Sequence, residues 1–435
     1  MTLYVDGDFK DVGDSVGLNH TSYNWKIGDG SDGAGDWNGT IDEVMIFNRS
    51  LGAEEVSALY NATANQYYHN FTELGEGMHN YTAYGVDIAG NVNASGGRLF
   101  TVDTQFPTIN FTTLTPSNGS SKASADIFVN LTTVDAGDSY AFADFDNDLV
   151  GWWRMDVLNS SGNVVDESSY GNNGTVVADA VQTDAGKFGK GFEFDGDGDY
   201  VLATEMPEIN RSLNFTVSMW VKNAGNDTYR GGLAHNTVDS SNRFVLDFNN
   251  GDVRARVWNG GAYKGSFAGS ITGGEWAHVV YTWQSNETGI LYIDNAVQAT
   301  AGGGDSSTST EFRIGRMSSS YFNGSIDEVL IFNRTLDAVE VAALYNASAN
   351  QYYHNFTELS DATHNFTGYV VDSAGNLNST DTWFVTTDAS PPTISVVSPV
   401  NASTYNSSSI LVNVSSSDEG TGMIVPNLDS SLVSW

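Results

Sequence analysis

The chain has 435 residues and a formal net charge of −35, with 18 lysine and arginine residues against 53 aspartate and glutamate residues. This excess of negative charge argues against nucleic acid and anionic membrane surfaces as partners, because both are negatively charged. The chain has no cysteines, which excludes disulfides, thiol catalysis and cysteine zinc sites. The length suggests about two to four domains.

No apolar run is long enough to span a bilayer, so no membrane insertion is expected in this segment. The start, MTLYVDGDFK, lacks the basic and then apolar order of a signal peptide. Export and anchor signals are therefore expected to lie outside this chain.

Glycosylation sequons are unusually frequent. The pattern Asn-X-Ser/Thr occurs about 25 times, which is roughly three times the chance expectation. This favours a heavily N-glycosylated secreted surface protein. The alternative is a β-protein rich in asparagine, serine and threonine, whose turns create sequons by accident. Candidate glycosylation sites include Asn70, Asn110, Asn130, Asn214, Asn355, Asn365 and Asn413.

A long internal repeat runs through the sequence at an offset of 285 residues. The phrase NGTIDEVMIFNRSL at 38–51 returns as NGSIDEVLIFNRTL at 323–336, and NQYYHNFTEL at 65–74 returns unchanged at 350–359. The chain therefore holds about one and a half copies of a single unit. We expect the strands of residues 1–65 to lack partners. Either the sequence is a piece of a longer protein, or another chain supplies the missing strands.

Short apolar segments separated by turn residues follow in chain order. Residues 106–140 predict two strands, and residues 147–336 contain many more, among them NFTVSMWVKN, WAHVVYTWQ and IDEVLIFN. Residues 350–388 predict three further strands. The stretch DSAGN at 372–376 predicts a tight turn with a glycine at positive φ.

One short helix is predicted after the second copy of the repeated phrase. Asp337 and Glu340 have the spacing of a capping box. The apolar face of the helix is supplied by Val341, Leu344 and Tyr345. Gly52 and Glu55 have the same spacing after the first copy.

Several of these segments resemble, in their order and spacing, the laminin-G-like (concanavalin A-like) jelly rolls. The segments are FEFDGDGDYVLA, FTVSMWVK, WAHVVYTW, LYIDN and GSIDEVLIFNRTLDAVEVAALY. The flanking stretches HNFTGYVVDSAGNLNST and PPTISVVSPVNASTYNSSSILVNVS resemble Ig-like modules of archaeal and bacterial surface proteins. The predicted fold class is all-β: a concanavalin A-like jelly-roll sandwich plus Ig-like β-sandwich modules, in a 285-residue tandem repeat.

Domain boundaries are predicted from the repeat and the resemblance. The strands at 107–133 and at 350–388 are each too few for a sandwich, so we predict that the laminin-G-like domain is inserted into an Ig-like domain. Two small linker modules are the alternative. The predicted segments are 1–65, the end of a truncated laminin-G-like domain; 66–105, late strands of an Ig-like domain; 106–140, early strands of an Ig-like domain; 141–348, a complete laminin-G-like domain; 349–388, late strands of that Ig-like domain; and 389–435, early strands of the next Ig-like domain and the start of the next repeat.

The acidic residues offer little support for catalysis. Glycosidase carboxylates can alternate along one strand, and the nearest approximation here is Glu193, Asp195 and Asp197. Glycine interrupts the pattern, and DGDGD indicates a hairpin turn instead. A helix–loop–helix calcium loop beginning at Asp195 is excluded, because Tyr200 stands where such a loop needs glycine. We predict that the chain is not an enzyme.

The laminin-G-like resemblance implies one structural Ca2+ ion per complete domain, near an edge of the sandwich. The matching residues are Asp166 and Asp327, with Asn173 in the glycine-rich turn 171–174 as a further oxygen donor. The alternative is that Asp166 caps a turn and Asp327 faces solvent.

Aromatic residues in two loops are candidate sugar-binding groups, because flat rings stack on the apolar faces of sugars. Trp258 and Tyr263 flank a glycine-rich turn, and Tyr321 and Phe322 lie in another loop. The alternative for these aromatic residues is packing in the core.

Taken together, these features predict an extracellular or cell-surface adhesion and recognition protein that is stabilised by calcium. Its expected partners are glycans or surface proteins, with possible self-association through incomplete terminal domains. One alternative is a non-catalytic carbohydrate-binding appendage of a larger secreted glycan-active enzyme. Another is a structural stalk or filament repeat.

Overall fold

A computed structural model of the chain describes most of the sequence, and at some strand ends it describes the backbone alone. The chain divides into two compact units, Met1–Val102 and Asp103–Trp435. The described helices are short, and neither could cross a membrane. The described residues are 2–12, 26–29, 37–61, 67, 69–204, 206, 214–225, 230–237, 243–259, 262–285, 288–302, 311–346 and 351–417.

The first unit has short elements and little core in its described residues. The elements are β1 (Thr2–Val5), β2 (Asp8–Val12), α1 (Ala53–Tyr60), β3 (Gly77–Tyr81), β4 (Tyr84–Val86), β5 (Val92–Ala94) and β6 (Arg98–Val102). The strands form the pairs β1–β2, β3–β6 and β4–β5, and Glu55 is the one buried side chain among the residues described.

The second unit begins with four strands and continues into a long central set. The first four are β7 (Thr108–Phe111), β8 (Ser120–Lys122), β9 (Asp126–Val134) and β10 (Ser139–Phe145). The central strands are β11 (Leu149–Trp153), β12 (Thr175–Val177), β13 (Val181–Thr183), β14 (Gly191–Asp195), β15 (Tyr200–Ala203), β16 (Phe215–Asn223), β17 (Arg230–Thr237), β18 (Arg243–Asn249), β19 (Asp252–Asn259), β20 (Ala262–Ser270), β21 (Ala277–Gln284), β22 (Thr288–Ile293), β23 (Ala296–Gly302), β24 (Phe312–Ile314), β25 (Arg316–Met317), β26 (Ser320–Tyr321) and β27 (Asn323–Phe332).

One helix and six strands complete the second unit. They are α2 (Ala338–Tyr345), β28 (Gln351–Thr357), β29 (Ala362–Asp372), β30 (Leu377–Ser379), β31 (Trp383–Thr387), β32 (Thr393–Ser398) and β33 (Asn413–Ser417). The last two strands form a hairpin of their own.

The central sandwich is a concanavalin A-like jelly roll of two antiparallel sheets. One sheet has the order β13-β14-β27-β16-β21-β22-β23, with β11 also paired to β27, and the other has the order β12-β15-β24-β17-β18-β19-β20. Alternate side chains of each strand enter the core between the sheets, as the two-residue period of a strand requires. On β16 these core residues are Val217, Met219 and Val221.

The repeated phrase at 323–336 supplies the central strand β27. This strand pairs with β16 along one edge and with β14 and β11 along the other. Helix α2 follows with the predicted capping box: the Asp337 side chain accepts from the backbone N–H groups of Val339 and Glu340. The side chains of Val341 and Leu344, on the inner face of the helix, are buried.

A small sandwich is built from strands on both sides of the central one. Its sheets have the orders β28-β9-β7 and β10-β29-β31-β8, with β30 paired to β29. Strands that precede residue 146 thus pair with strands that follow residue 350. The Ig-like class and the domain boundaries stay predictions, and this pairing supports the insertion hypothesis. Gly375 in the DSAGN turn has a φ of 84°, as predicted.

A second hydrophobic core joins the two sandwiches. It contains outward side chains of the jelly roll such as Trp152 and Trp220, together with helix α2 and side chains of the small sandwich such as Phe142 and Phe145. Both faces of β16 are therefore covered, which explains why its residues are buried almost without interruption, polar Thr216 and Ser218 included.

The acidic run DGDGD is not a hairpin turn, contrary to the prediction. It links β14 to β15, and these strands belong to different sheets. The glycines at 196 and 198 have φ values of 90° and 93°. They let the chain cross from one sheet to the other, which a local turn pattern does not distinguish from a hairpin.

Candidate functional site

A groove of about 310 Å³ lies on the outer face of the jelly roll, beside the C-terminal end of α2. Its residues come from six segments that are distant in sequence. They are Asp138, Lys187, Trp220, Trp276, Asp294, Tyr345 and Asn346.

Three aromatic side chains form the apolar part of the groove. Trp220 on β16 is 5% exposed and forms the floor. Its ring stacks on that of Tyr345, at the end of α2, with centroids 5.9 Å apart and planes at 16°. Trp276, just before β21, and Tyr345 are both half-buried and pack against the second core. The second core therefore holds the rings in place while parts of two of them remain accessible.

Charged and amide groups surround these rings. The Lys187 Nζ lies 4.5 Å from the centre of the Trp220 ring, a cation–π distance. The Asp294 Oδ1 accepts a hydrogen bond of 2.9 Å from the backbone N–H of His278, which fixes this carboxylate at the tip of its turn. Asp138 and Asn346 are exposed. The groove thus combines ring faces with hydrogen-bonding groups, which is the combination that recognises sugars.

A buried serine–histidine pair supports the floor of the groove. The Ser218 Oγ and the His278 Nε2 are 2.8 Å apart, and the His278 ring stacks on Trp220 with centroids 4.9 Å apart. Burial lowers the pKa of His278 to about 3, so the ring is neutral. Its Nδ1 has no hydrogen-bond partner in the described part of the chain. The pair resembles a nucleophile and base only in composition, because neither group is accessible.

A buried charge network lies between the two sandwiches. The Glu328 Oε2 accepts from Tyr140 of the small sandwich and, at 3.0 Å, from the indole N–H of Trp152. Arg154 donates to the carbonyl of Gly375 at 2.6 Å and to Asp156 at 2.5 Å. Burial raises the pKa of Glu328 to about 7, although the nearby Arg154 opposes this rise. The network fixes the central sandwich against the small one.

Asp166 and Asn173, two of the predicted calcium ligands, organise the loop after β11. Asp166 Oδ1 accepts the backbone N–H of Trp152 at 2.8 Å, and its Oδ2 accepts that of Asn172 at 2.7 Å. The side-chain oxygen of Asn173 accepts the backbone N–H of Asp166 at 2.9 Å. These oxygens anchor a turn, and a cation would have to share them with N–H donors.

Asp327, the third predicted ligand, is fully buried, so the alternative that it faces solvent is wrong. Its Oδ2 accepts the backbone N–H groups of Lys187 and Phe188 at 2.7 and 3.0 Å. Burial and the neighbouring Glu328 raise its pKa well above the usual range. By holding the backbone at Lys187, Asp327 positions one side of the groove. The calcium assignment stays a prediction.

The four predicted ligand-binding aromatics have different outcomes. Trp258 and Tyr263 are opposite each other on β19 and β20, but their side chains lie outside the described part of the structure. Tyr321 is half-buried, with the Arg316 guanidinium 5.3 Å from its ring centre. Phe322 is fully buried in the jelly-roll core. A ligand role for Phe322 is therefore wrong, since its ring fills the space between the sheets.

The candidate glycosylation sites also differ in exposure. Asn130 is 3% exposed on β9, so the folded chain does not present this sequon. Its strand position places it against the small core, a feature that the sequon pattern does not reveal. Asn365 is half-buried, and the exposed candidates are Asn70, Asn110, Asn214, Asn355 and Asn413.

Comparisons with known proteins agree with the jelly-roll fold. Residues 1–57 and 195–342 match the sequence profile of the concanavalin A-like lectin/glucanases superfamily. No curated protein matches the sequence. Both copies of the repeated phrase fall within the matched residues.

Several solved structures are similar at low identity. Domain 4 of AbnA, a GH43 extracellular arabinanase from Geobacillus stearothermophilus solved with arabinotriose, is 18% identical, with 46% of this chain and 98% of that chain covered and a TM-score of 0.38. The binding domain of botulinum neurotoxin serotype D is 16% identical, with 46% and 52% covered and a TM-score of 0.39. The chain thus spans about half the length of this neurotoxin domain.

Proposed function

We propose that this chain, whose central sandwich is a concanavalin A-like jelly roll, is a carbohydrate-recognition protein of the extracellular or cell-surface space. The groove formed by Trp220, Trp276 and Tyr345 binds the glycan. The observation that carries the proposal is the set of aromatic rings, held by the second core, beside an ordered carboxylate, a lysine and an amide.

The shape and chemistry of the groove support a short glycan segment as ligand. Its volume of about 310 Å³ is at the low end of the roughly 300–1,000 Å³ of small-molecule sites. One or two sugar rings would occupy it, with the rest of the glycan outside. Trp276 and Tyr345 offer ring surfaces to the apolar faces of a sugar, and Asp294 and Asn346 accept or donate hydrogen bonds to its hydroxyls.

The electrostatics favour neutral rather than acidic glycans. Asp138 and Asp294 lie at the groove, and Lys187 is the one cationic residue among those that line it. The net charge of the whole chain is −35. Sialylated or sulfated sugars would therefore meet repulsion at the groove and across the surface.

Binding is proposed without catalysis. The Ser218–His278 pair is sealed beneath Trp220, so it has no contact with a ligand in the groove. The exposed sequons and the acidic surface support a secreted, glycosylated protein, and an adhesion role would follow from glycan recognition at a cell surface. Calcium stabilisation is part of this proposal.

The test is a glycan array followed by calorimetry on the best neutral hit. The protein should come from a host without N-glycosylation, because Asn346 is itself the start of a sequon with Ser348. Trp276→Ala and Tyr345→Ala should each weaken binding at least about tenfold, since each removes a stacking ring. Phe384→Ala, at a ring 48% exposed on β31, is the matched control and should bind normally. Undiminished binding in both groove variants, or no glycan bound at all, would refute the proposal.

A further inference from the structure

Two crossovers run side by side at one edge of the central sandwich. Residues 178–180 connect β12 to β13, and residues 196–199 connect β14 to β15. Because β12 pairs with β15 in one sheet and β13 with β14 in the other, the two connections are neighbours. A Cβ built on Gly198 would lie 3.9 Å from the Cβ of Ala178, which places the two loops in contact.

Three carboxylates meet between these crossovers. Asp179 comes from the first, and Asp195 and Asp199 come from the second. One oxygen of each lies within 4.8 Å of the others. Asp199 is 1% exposed, whereas Asp179 and Asp195 are exposed to solvent. Two exposed, negatively charged carboxylates therefore lie close to a buried third carboxylate.

The hydrogen bonds of the cluster leave one buried oxygen unsatisfied. Asp199 Oδ2 accepts the backbone N–H of Asp195 at 2.8 Å, and Asp195 Oδ1 accepts that of Asp197 at 2.7 Å. The Asp199 Oδ1 is buried and has no partner among the described residues. Among the described residues, no lysine or arginine forms an ion pair with these three carboxylates.

An unpaired buried carboxylate oxygen beside two further carboxylates is costly, because it loses hydration and gains repulsion. Burial, and then the charges of Asp195 and Asp179, raise the pKa of Asp199. Either a proton or a cation would relieve this cost. A divalent cation relieves the unsatisfied oxygen and the repulsion among all three carboxylates, whereas a proton neutralises one carboxylate and leaves the other two charged.

We propose that Asp179, Asp195 and Asp199 hold a divalent cation of the size of calcium. Calcium takes oxygen ligands at roughly 2.3–2.6 Å, and magnesium at roughly 2.0–2.1 Å. Oxygens within 4.8 Å of one another can share one ion, and carboxylates on loops suit calcium, which accepts flexible coordination, better than magnesium, which demands near-octahedral geometry. The remaining coordination positions are open to water and to carbonyls of the glycine-containing loop.

The cation would tie together the edges of the two sheets. Strand β12 is the edge of one sheet and β13 the edge of the other, and the crossovers join these edge strands to their inner neighbours. The proposed site shares no residue with Asp166, Asn173 and Asp327. Its failure would also leave the glycan groove untouched, since the groove is lined by other residues.

The test is calorimetric titration of the chelator-stripped full chain with CaCl2 and, separately, with MgCl2. We expect a calcium Kd in the range of roughly 10⁻⁴–10⁻³ M seen for extracellular modules, and weaker magnesium binding. Asp199→Asn keeps an oxygen for the Asp195 N–H and should lose this site, with at least a tenfold weaker Kd. Asp179→Asn, at an exposed side chain, is the second variant and should show the same direction of change. Asp184→Asn, whose side chain is 92% exposed, is the matched control and should bind as the wild type does.

Terbium luminescence sensitised by the adjacent Tyr200 gives a second readout, which Asp199→Asn should abolish. Equal calcium stoichiometry and affinity in the wild type and in both cluster variants would overturn the proposal. So would a result in which Asp199→Asn stabilises the chain at neutral pH and calcium has no effect on the wild type. That outcome would show that a proton, rather than a cation, relieves the cluster.

Discussion

The two copies of the repeated phrase adopt different structures despite nearly identical sequences. In the second copy, residues 323–332 form the central strand β27, and its apolar side chains are buried. In the first copy, residues 38–50 form no strand, and Ile46 is 62% exposed where its counterpart Ile331 is fully buried. A strand therefore depends on its partner strands and cannot be specified by its own sequence alone.

The features that do recur in both copies are local in sequence. Arg49 and Arg334 each form a two-point contact with a glutamate six residues later, Glu55 and Glu340. The hydroxyls of Tyr67 and Tyr352 donate to the same glutamates at 2.9 and 3.0 Å. The helix that follows the phrase begins at the equivalent residue in both copies. These contacts need only a short stretch of chain.

The cap of the helix shows where even the local features diverge. Glu55 and Glu340 each accept the backbone N–H of the capping residue, at 2.9 and 3.2 Å. Asp337 also accepts from the helix N–H groups, but Gly52 has no side chain to do so. The first copy thus has half of the capping box, and the second has all of it.

The largest difference is expected on removing the two arginines. Arg334→Ala would leave Glu340 and Asp148 buried without their cation, at a cost of about 3–5 kcal/mol of unfolding free energy. The Arg49 side chain is 41% exposed and is the cation of one buried carboxylate, Glu55, so Arg49→Ala should cost clearly less than Arg334→Ala. Urea unfolding followed by tryptophan fluorescence measures both. Equal losses in the two variants would contradict the comparison.

A matched pair of core substitutions should show the next largest difference. Ile331→Ala opens a cavity in the jelly-roll core and should cost about 2–5 kcal/mol. Ile46→Ala changes an exposed side chain and should stay within about 0.5 kcal/mol. The same urea experiment applies. A substantial loss from Ile46→Ala would show that the first copy is packed in solution against strands from another molecule.

The pH dependence of stability should also separate the two copies. Burial raises the pKa of Glu328 to about 7 and that of Asp156 to about 6. The folded state then binds these protons more tightly than the unfolded chain, so the unfolding free energy falls as the pH rises from about 4.5 to about 7. In the first copy, the contact with Arg49 lowers the pKa of Glu55 to about 2. Its contribution is present above about pH 4.5 and is lost as the pH falls toward 2.

Two glutamine variants test this sign. Glu328→Gln should reduce the loss of unfolding free energy between about pH 5 and 8 by on the order of 2 kcal/mol. Glu55→Gln should leave the slope in that interval unchanged, because it lowers the unfolding free energy by a constant amount above about pH 4.5 and removes only the fall in stability toward pH 2. Urea midpoints across a pH series provide the measurement, with the wild type as reference. An unchanged slope in Glu328→Gln would mean that this carboxylate is ionised throughout.

Much of the fold could be predicted from local patterns. The strand β27, the capping box of α2 and the positive φ of Gly375 follow from residue types and short spacings. The crossover at 196–199 could not, because a glycine-rich turn has the same sequence whether it joins strands of one sheet or of two. Which strands become neighbours is decided by packing across the whole domain.

The sequence does not predict the proposed glycan groove, for a related reason. Trp220 lies in the predicted strand NFTVSMWVKN and is buried, but on the outer face of its sheet, in the second core. Tyr345 was assigned to the apolar face of α2 because of its helical spacing, and Trp276 starts a predicted strand. Only the meeting of strand, helix and small sandwich brings these rings together. The sequence contains one signal for the groove. Tyr345 is the last residue of the helix, so its ring can be only partly covered by the core.

The proposed glycan groove lies at the second copy of the repeat. Tyr60, in the first copy, is the counterpart of Tyr345 and is 59% exposed. Calorimetric titration of the array-identified glycan into the wild type, Tyr345→Ala and Tyr60→Ala compares the two. We predict one site per chain, a loss of at least about tenfold in Tyr345→Ala and no change in Tyr60→Ala. Retained binding in Tyr345→Ala, or an equal loss in Tyr60→Ala, would contradict the assignment of the groove.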